Sequence, residues 1–195
     1  MNISHTAQLR MALNEITKDG TSPTLHPEAI ANLASHLPHS IVLAPPRLMP
    51  ANCSAPFNCF EFALGLAGRT EVRLISHYLS STRCNGEFVA HLVTSVLAPI
   101  ATPRNCDLVL YKDGIEFTHA GVVHGGRVLS KWGTGQLWIH ETLEVPAKYG
   151  DSISHFRAAD AAEMLVEFIE FARNREGAGT VADILNLEPH HNGDA

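Results

Sequence analysis

The 195-residue chain lacks any apolar run of about 18 residues, the least a membrane-spanning helix needs, so no such span is expected. It is short of positive charge: 14 lysines and arginines face 20 carboxylates, a formal net charge of −6. That balance excludes nucleic acid and anionic lipid as main partners. The first residues, Met1-Asn2-Ile3-Ser4-His5, have neither the basic nor the apolar region of a secretory signal, and a cytoplasmic location is expected. Cysteine is sparse. Cys53, Cys59, Cys84 and Cys106 form no CxxC pattern of a zinc site, and in a reducing compartment they are expected as free thiols. The 12 histidines are scattered, so solvated surface residues are expected and zinc binding is the alternative. Neither a cofactor nor a metal is expected. Aromatics make up 7% of the chain, yet hydrophobic residues reach 45%, enough for a globular domain of ordinary size.

Three parts are expected along the chain. Residues 1–39 read as an N-terminal helical cap. Leu9, Leu13 and Ile16 mark one amphipathic helix ended by Asp19-Gly20, and Pro27 opens a second that closes at Pro38. Residues 40–175 read as the catalytic domain. Within it, 40–57 form a long proline-rich loop with one short strand at Ile41-Val42-Leu43. A helical half follows, comprising a helix from Cys59 to Gly68, one over 71–79, a turn at Asn85-Gly86, and one over Phe88–Leu97. The texture changes at Cys106. From there to Arg157 short β-rich runs alternate with turns at Asp113-Gly114 and Gly125-Gly126, giving an antiparallel meander, and Asp160 opens one more helix. Residues 176–195 read as a polar, partly disordered tail with one short helix at Val181–Leu185.

The chemistry centres on Asn58-Cys59. Asn58 is a good N-cap, which puts Cys59 in the first turn of its helix, where unpaired N–H groups and the helix dipole favour a thiolate. Gly65 in that helix is expected to allow close packing on a sheet. Asn52, seven residues earlier, offers an amide for an oxyanion, as does the N–H of Cys59; a plain turn residue is the other reading of Asn52.

A base is available in Phe117-Thr118-His119-Ala120-Gly121. Strand alternation puts His119, Gly121 and Val123 on one face, with Gly121 leaving space for an imidazole. With Gly125-Gly126 as a two-residue loop, Gly121 pairs with Ser130, which then neighbours His119 diagonally; one more loop residue brings Lys131 there instead. His140 is a third candidate to hold the far ring nitrogen. A neutral base within hydrogen-bond reach of a helix-terminal thiol makes a nucleophilic pair.

These segments resemble the papain-like NlpC/P60 and CHAP superfamily. The resemblance is carried by Asn58-Cys59 with Ala63-Leu64-Gly65, by Cys106-Asp107-Leu108-Val109-Leu110-Tyr111, and by Thr118-His119-Ala120-Gly121-Val122-Val123. Those proteins show a nucleophilic cysteine opening a helix, a "GDLVLY"-type strand, where Cys106 here stands in place of the usual glycine, and an "HxGI"-type strand. The later run Ser130-Lys131-Trp132-Gly133, His140 and Tyr149-Gly150 is similar to a subgroup with an "SKxG…H…YG" segment. The likeness spans residues 52–157.

The resemblance implies an α+β papain-like fold, a helical lobe carrying Cys59 packed on an antiparallel sheet carrying His119. It implies Cys59 as nucleophile, His119 as base, and a third position around Ser130 or Lys131, where the family usually has His, Asn, Gln or Glu. Lecithin:retinol-acyltransferase-like proteins share an "NCxxF" segment but place histidine before cysteine. His119 follows Cys59 and fits the unpermuted order, while His39 keeps the permuted one open. The expected function is hydrolysis of an amide in a peptide or protein substrate through a thioester at Cys59. The alternatives are an inactive binding module and an acyltransferase or thioesterase of the same fold.

Overall fold

The computed structural model describes residues 3–50, 56–133, 135–158 and 160–187. Seven α-helices and six strands are present in them: α1 His5–Ile16, α2 His26–Leu33, β1 Val42–Leu43, α3 Cys59–Ala63, α4 Thr70–Tyr78, α5 Gly86–Ser95, β2 Leu108–Asp113, β3 Glu116–His124, β4 Arg127–Lys131, β5 Leu137–His140, β6 Ser152–Phe156, α6 Ala161–Glu176 and α7 Ala178–Leu185. The class is α+β, with one antiparallel sheet in the order β1-β5-β4-β3-β2-β6.

The strands β2 to β5 form the expected meander. The last strand does not extend it: β6 returns to the far side and pairs with β2, Leu108 opposite Phe156. The two-residue turn at Gly125-Gly126 sets the β3–β4 register, with His124 opposite Arg127, Val123 opposite Val128 and Gly121 opposite Ser130. Between Tyr111 and Lys112 the β2–β3 register slips by one, so β3 carries its extra residue at Thr118.

Both faces of the sheet are covered. On one face Phe60, Val72, Phe88, Leu92, Met164 and Phe168 from the helices α3 to α6 pack on Leu108, Leu110 and Ala120. On the other, Leu9, Leu13 and Ile30 from α1 and α2 pack on Val109, Tyr111, Trp132 and Trp138. The N-terminal helices are therefore not set before the sheet but cover its second face, because alternate residues of the central strands are apolar on both sides. Likewise the division at 175/176 is not structural. Val181 of α7 is fully buried in the first core.

Several local expectations are corrected. α3 ends at Ala63 rather than running to Gly68, because Gly65 takes a positive φ of 69°. A Cβ there would sit 2.9 Å from the Cβ of Ala161, so Gly65 allows approach to α6 and not to the sheet. Asn85 caps α5, accepting from the N–H of Glu87 and Phe88 at 3.1 and 3.2 Å, so Asn85-Gly86 is a helix start rather than a free turn. Gly121 makes room not for an imidazole but for its cross-strand neighbours: an added Cβ would meet Val128 Cγ1 at 2.8 Å and Ser130 Cβ at 2.9 Å. Cys106 has φ 72°, a left-handed conformation costly for any residue but glycine.

Candidate active site

Asn58 holds the start of α3 as its side-chain chemistry dictates. Its oxygen accepts from the N–H of Phe60 at 2.8 Å and of Glu61 at 3.0 Å. The Glu61 carboxylate in turn accepts from the Asn58 N–H at 3.3 Å, completing a capping box. The Asn58 amide also donates to the Cys84 carbonyl at 2.9 Å, tying the helix start to the chain before α5. Cys59 is thus the first residue of a well-anchored helix.

The depressed thiol pKa expected from that position is not found. Burial pushes the Cys59 thiol up to about 11, and the N–H groups of Ala120, of Cys59 itself and of Phe60, followed by Lys131, offset only part of that rise. A helix of five residues has little dipole to contribute, so desolvation wins. The donors are nonetheless informative. The β3–β4 pairing stops at Gly121 opposite Ser130, and the N–H of the next β3 residue, Ala120, is turned to the sulfur. Cys59 therefore sits where the sheet opens between β3 and β4.

His119 adjoins Ala120 in β3, and alternation sends its side chain to the opposite face. There it is fully buried and stacked on Tyr149, ring centroids 3.9 Å apart and planes 5° from parallel, with Tyr111 at 5.3 Å. Neither ring nitrogen has a hydrogen-bond partner among the described residues. The expected hydrogen bond between His119 and Cys59 is not formed, because the two side chains approach the strand from different faces. Burial, and then His140 and Lys148, lower the His119 pKa well below the ordinary histidine value, so the ring is a neutral imidazole.

Ser130 is fully buried on the same face as His119 but serves other partners. His140 Nδ1 lies 2.8 Å from the carbonyl of Glu141, which only an N–H can satisfy, so Nε2 is the acceptor. Ser130 Oγ then donates to His140 Nε2 at 2.8 Å and accepts from Trp132 Nε1 at 3.1 Å. The chain Trp132–Ser130–His140 is closed, and its proton directions are determined. Ser130 orients His140, not His119. Burial lowers the His140 pKa to about 4, so it too is neutral.

The remaining sequence candidates separate. Lys131 faces the Cys59 side; it is buried, its Nζ donates to the Gly135 carbonyl at 2.5 Å and lies 5.0 Å from the Phe57 ring centroid. His39 accepts from the Ile41 N–H at 3.2 Å and donates to the Ile30 carbonyl at 3.0 Å, a structural bracket remote from the site. Asn52 lies outside the described residues. Among those described, no group of three His, Cys, Asp or Glu side chains is placed to hold a metal ion.

Cys59 opens on a cleft of about 1300 Å³ between the two helical layers. Lys131, Thr118, Trp132 and Tyr149 form its floor, α4 one bank, and Lys18, His26 and Lys148 the other. His119 stands behind Tyr149 and does not line the cleft. In the sequence Tyr149 figures only in the Tyr149-Gly150 segment, and nothing local marks it as the ring that stacks on His119. Its hydroxyl is buried without a hydrogen bond among the described residues, and burial, then the nearby Cys59, raises its pKa.

Neither the known family models, nor the curated proteins, nor the solved structures contain a match to this chain. The fold and the cleft define an α+β protein with a half-buried cysteine at a helix start facing an interlayer groove.

Proposed function

We propose that this chain is a cysteine hydrolase of papain-like layout that cleaves an amide bond through a thioester on Cys59. One observation carries the reading: Cys59 lines a cleft at a helix start, where the N–H groups of Ala120, Cys59 and Phe60 favour its thiolate, and Ala120 is the residue next to a buried His119 whose two nitrogens have no partner among the described residues. A buried imidazole without hydrogen bonds is expensive to keep for packing alone. Three converging N–H groups suit a thiolate and then the oxyanion of a tetrahedral intermediate.

Burial acts on both groups in the same sense. It keeps Cys59 as a thiol and His119 as a free base, so the pair rests neutral rather than as thiolate and imidazolium. In the reaction His119 takes the thiol proton as sulfur attacks the carbonyl. The amide C–N bond then breaks, the imidazolium gives its proton to the leaving amine, and the thioester remains. Water, deprotonated by His119, attacks the thioester; the acid leaves and the sulfur recovers the proton. The first proton transfer requires the His119 ring to reach the sulfur through the gap between β3 and β4. Lys131 lowers the energy of the transient thiolate.

A second reading, a papain-like binding module without catalysis, is favoured by the missing Cys59–His119 hydrogen bond and the high thiol pKa. Acylation by 4-nitrophenyl acetate, followed by mass spectrometry at Cys59, separates the two. The hydrolase reading expects a burst of nitrophenolate and an acetylated Cys59, abolished in Cys59→Ser and reduced at least tenfold in a folded His119→Gln. Equal acylation in His119→Gln and the parent removes His119 as the base, and an unacylated Cys59 in the parent leaves the module.

A further inference from the structure

The charge of the cleft runs against that of the molecule. Six of the chain's 14 lysines and arginines line it, against two of its 20 carboxylates, in a protein of net charge −6. Those two are Asp19 and Glu61, and the Glu61 carboxylate is turned to the start of α3, where it accepts from the Asn58 N–H at 3.3 Å. The cations lie on both banks. Arg69 and Arg73 stand one helical turn apart at the start of α4, with Arg83 beyond its end; on the other side Lys18 is paired with Glu15 at 2.9 Å and Lys148 Nζ donates to the Thr17 carbonyl at 2.8 Å, and Lys131 lies near Cys59.

The three arginines are exposed and form no ion pair among the described residues, although carboxylates are abundant elsewhere on the chain. The floor is apolar and aromatic, with Phe57, Leu66, Trp132 and Tyr149. His26, 5% exposed, lines the same cleft with its Nδ1 unpartnered among the described residues, a buried polar atom left for an incoming group.

We infer that the cleft takes an acidic polypeptide segment, with carboxylates on both sides of the bond presented to Cys59 and apolar side chains on the aromatic floor. The inference rests on the hydrolase reading for the meaning of Cys59, but not for binding. The guanidinium forks of Arg69, Arg73 and Arg83 fit side-chain carboxylates along an extended chain. A cleft with an excess of cations in a protein of net negative charge also focuses the field and disfavours basic segments. The excess of carboxylates over the rest of the surface disfavours a long polyanion such as nucleic acid, which would have to cross it.

The test uses the full chain with Cys59→Ser, so that no turnover intervenes. Fluorescence polarisation is measured with three labelled peptides of about 12 residues that alternate Leu with Glu, with Gln or with Lys, and with an oligothymidylate of similar length. The Glu peptide is expected to bind at least tenfold tighter than the Gln peptide, and the Lys peptide not at all. Its affinity should fall as salt rises from roughly 50 to 300 mM. Arg73→Glu and Arg83→Glu, at exposed positions, should each weaken it about fivefold without moving the melting temperature. Equal affinity for the three peptides, or tighter binding of the oligonucleotide, overturns the inference. Acetylation of Cys59 in parent-background Arg73→Glu is read separately. If the Glu peptide binds but the parent never acetylates, the hydrolase reading fails and the acidic specificity stands. If acetylation proceeds but the peptides are not distinguished, the reverse holds.

Discussion

The ring of His119 lies parallel to that of Tyr149, centroids 3.9 Å apart and planes 5° from coplanar, on the face of the sheet away from Cys59. The stack holds the imidazole one residue from Ala120, whose N–H favours the Cys59 thiolate, yet His119 makes no hydrogen bond to the sulfur. The resting site is therefore two neutral groups rather than an ion pair.

Alkylation of Cys59 by iodoacetamide reads this directly. With the thiol pushed up to about 11, labelling should be slow at neutral pH and climb steadily to pH 10 and above. Exposed Cys106, followed in the same mass spectra, controls for reagent access. His119→Gln should leave the Cys59 profile in place. A plateau of labelling already present near pH 6 would reveal a preformed thiolate–imidazolium pair.

Ser130→Ala removes the central member of the Trp132–Ser130–His140 chain. Two buried nitrogens, Trp132 Nε1 and His140 Nε2, lose their partner, at a cost of about 1–3 kcal/mol in urea unfolding. Acetylation of Cys59 per folded molecule should be unchanged. A variant of full stability that no longer acetylates would return Ser130 to the role expected from the hairpin register.

Acid should destabilise the fold through its buried histidines. The His140 pKa falls from 6.5 to about 4 on folding, and His119 and His26 move in the same direction. Between those values the unfolded chain binds protons that the folded chain does not, so stability rises with pH and is lost as pH falls from about 6.5 toward 4. His140 alone accounts for about 3 kcal/mol over that window. Urea midpoints at pH 7, 6 and 5 should fall in order; a flat series contradicts neutral burial.

Cys106→Gly should stabilise the protein by roughly 0.5–1 kcal/mol. The residue is exposed, its φ of 72° is strained for any side chain, and the gain is partly offset by the extra freedom of glycine in the unfolded chain. Thermal unfolding measures it. A loss of stability would show that the Cys106 side chain makes a contribution larger than the strain.

Much of the fold is legible in local pattern because local physics governs it. Asn58 before an apolar run is a helix cap in any context, and Gly125-Gly126 between β-rich runs sets a register by turn geometry alone. The side-chain period of two then forces His119, Gly121 and Ser130 onto one face. What such reasoning misses is non-local. That Gly65 leaves room for α6 is visible only once Ala161, nearly a hundred residues later, arrives beside it. The partner of Ser130 depends on β5 bringing His140 across the ladder.

By itself, the sequence determined the local settings of the two residues and their order, a capped helix start with Cys59 and then a hairpin carrying His119, because caps, turns and alternation act over a few residues. Only the tertiary structure decided which face each side chain meets. The second helical layer, from α1 and α2, buries the face of β3 that bears His119 and stacks Tyr149 on it. The helices of the other layer pack around Cys59 and its burial raises the thiol pKa, and the fold gathers arginines and lysines from distant segments into one cleft. Burial and charge convergence are sums over contacts made by residues far apart in the chain, and no local pattern records them.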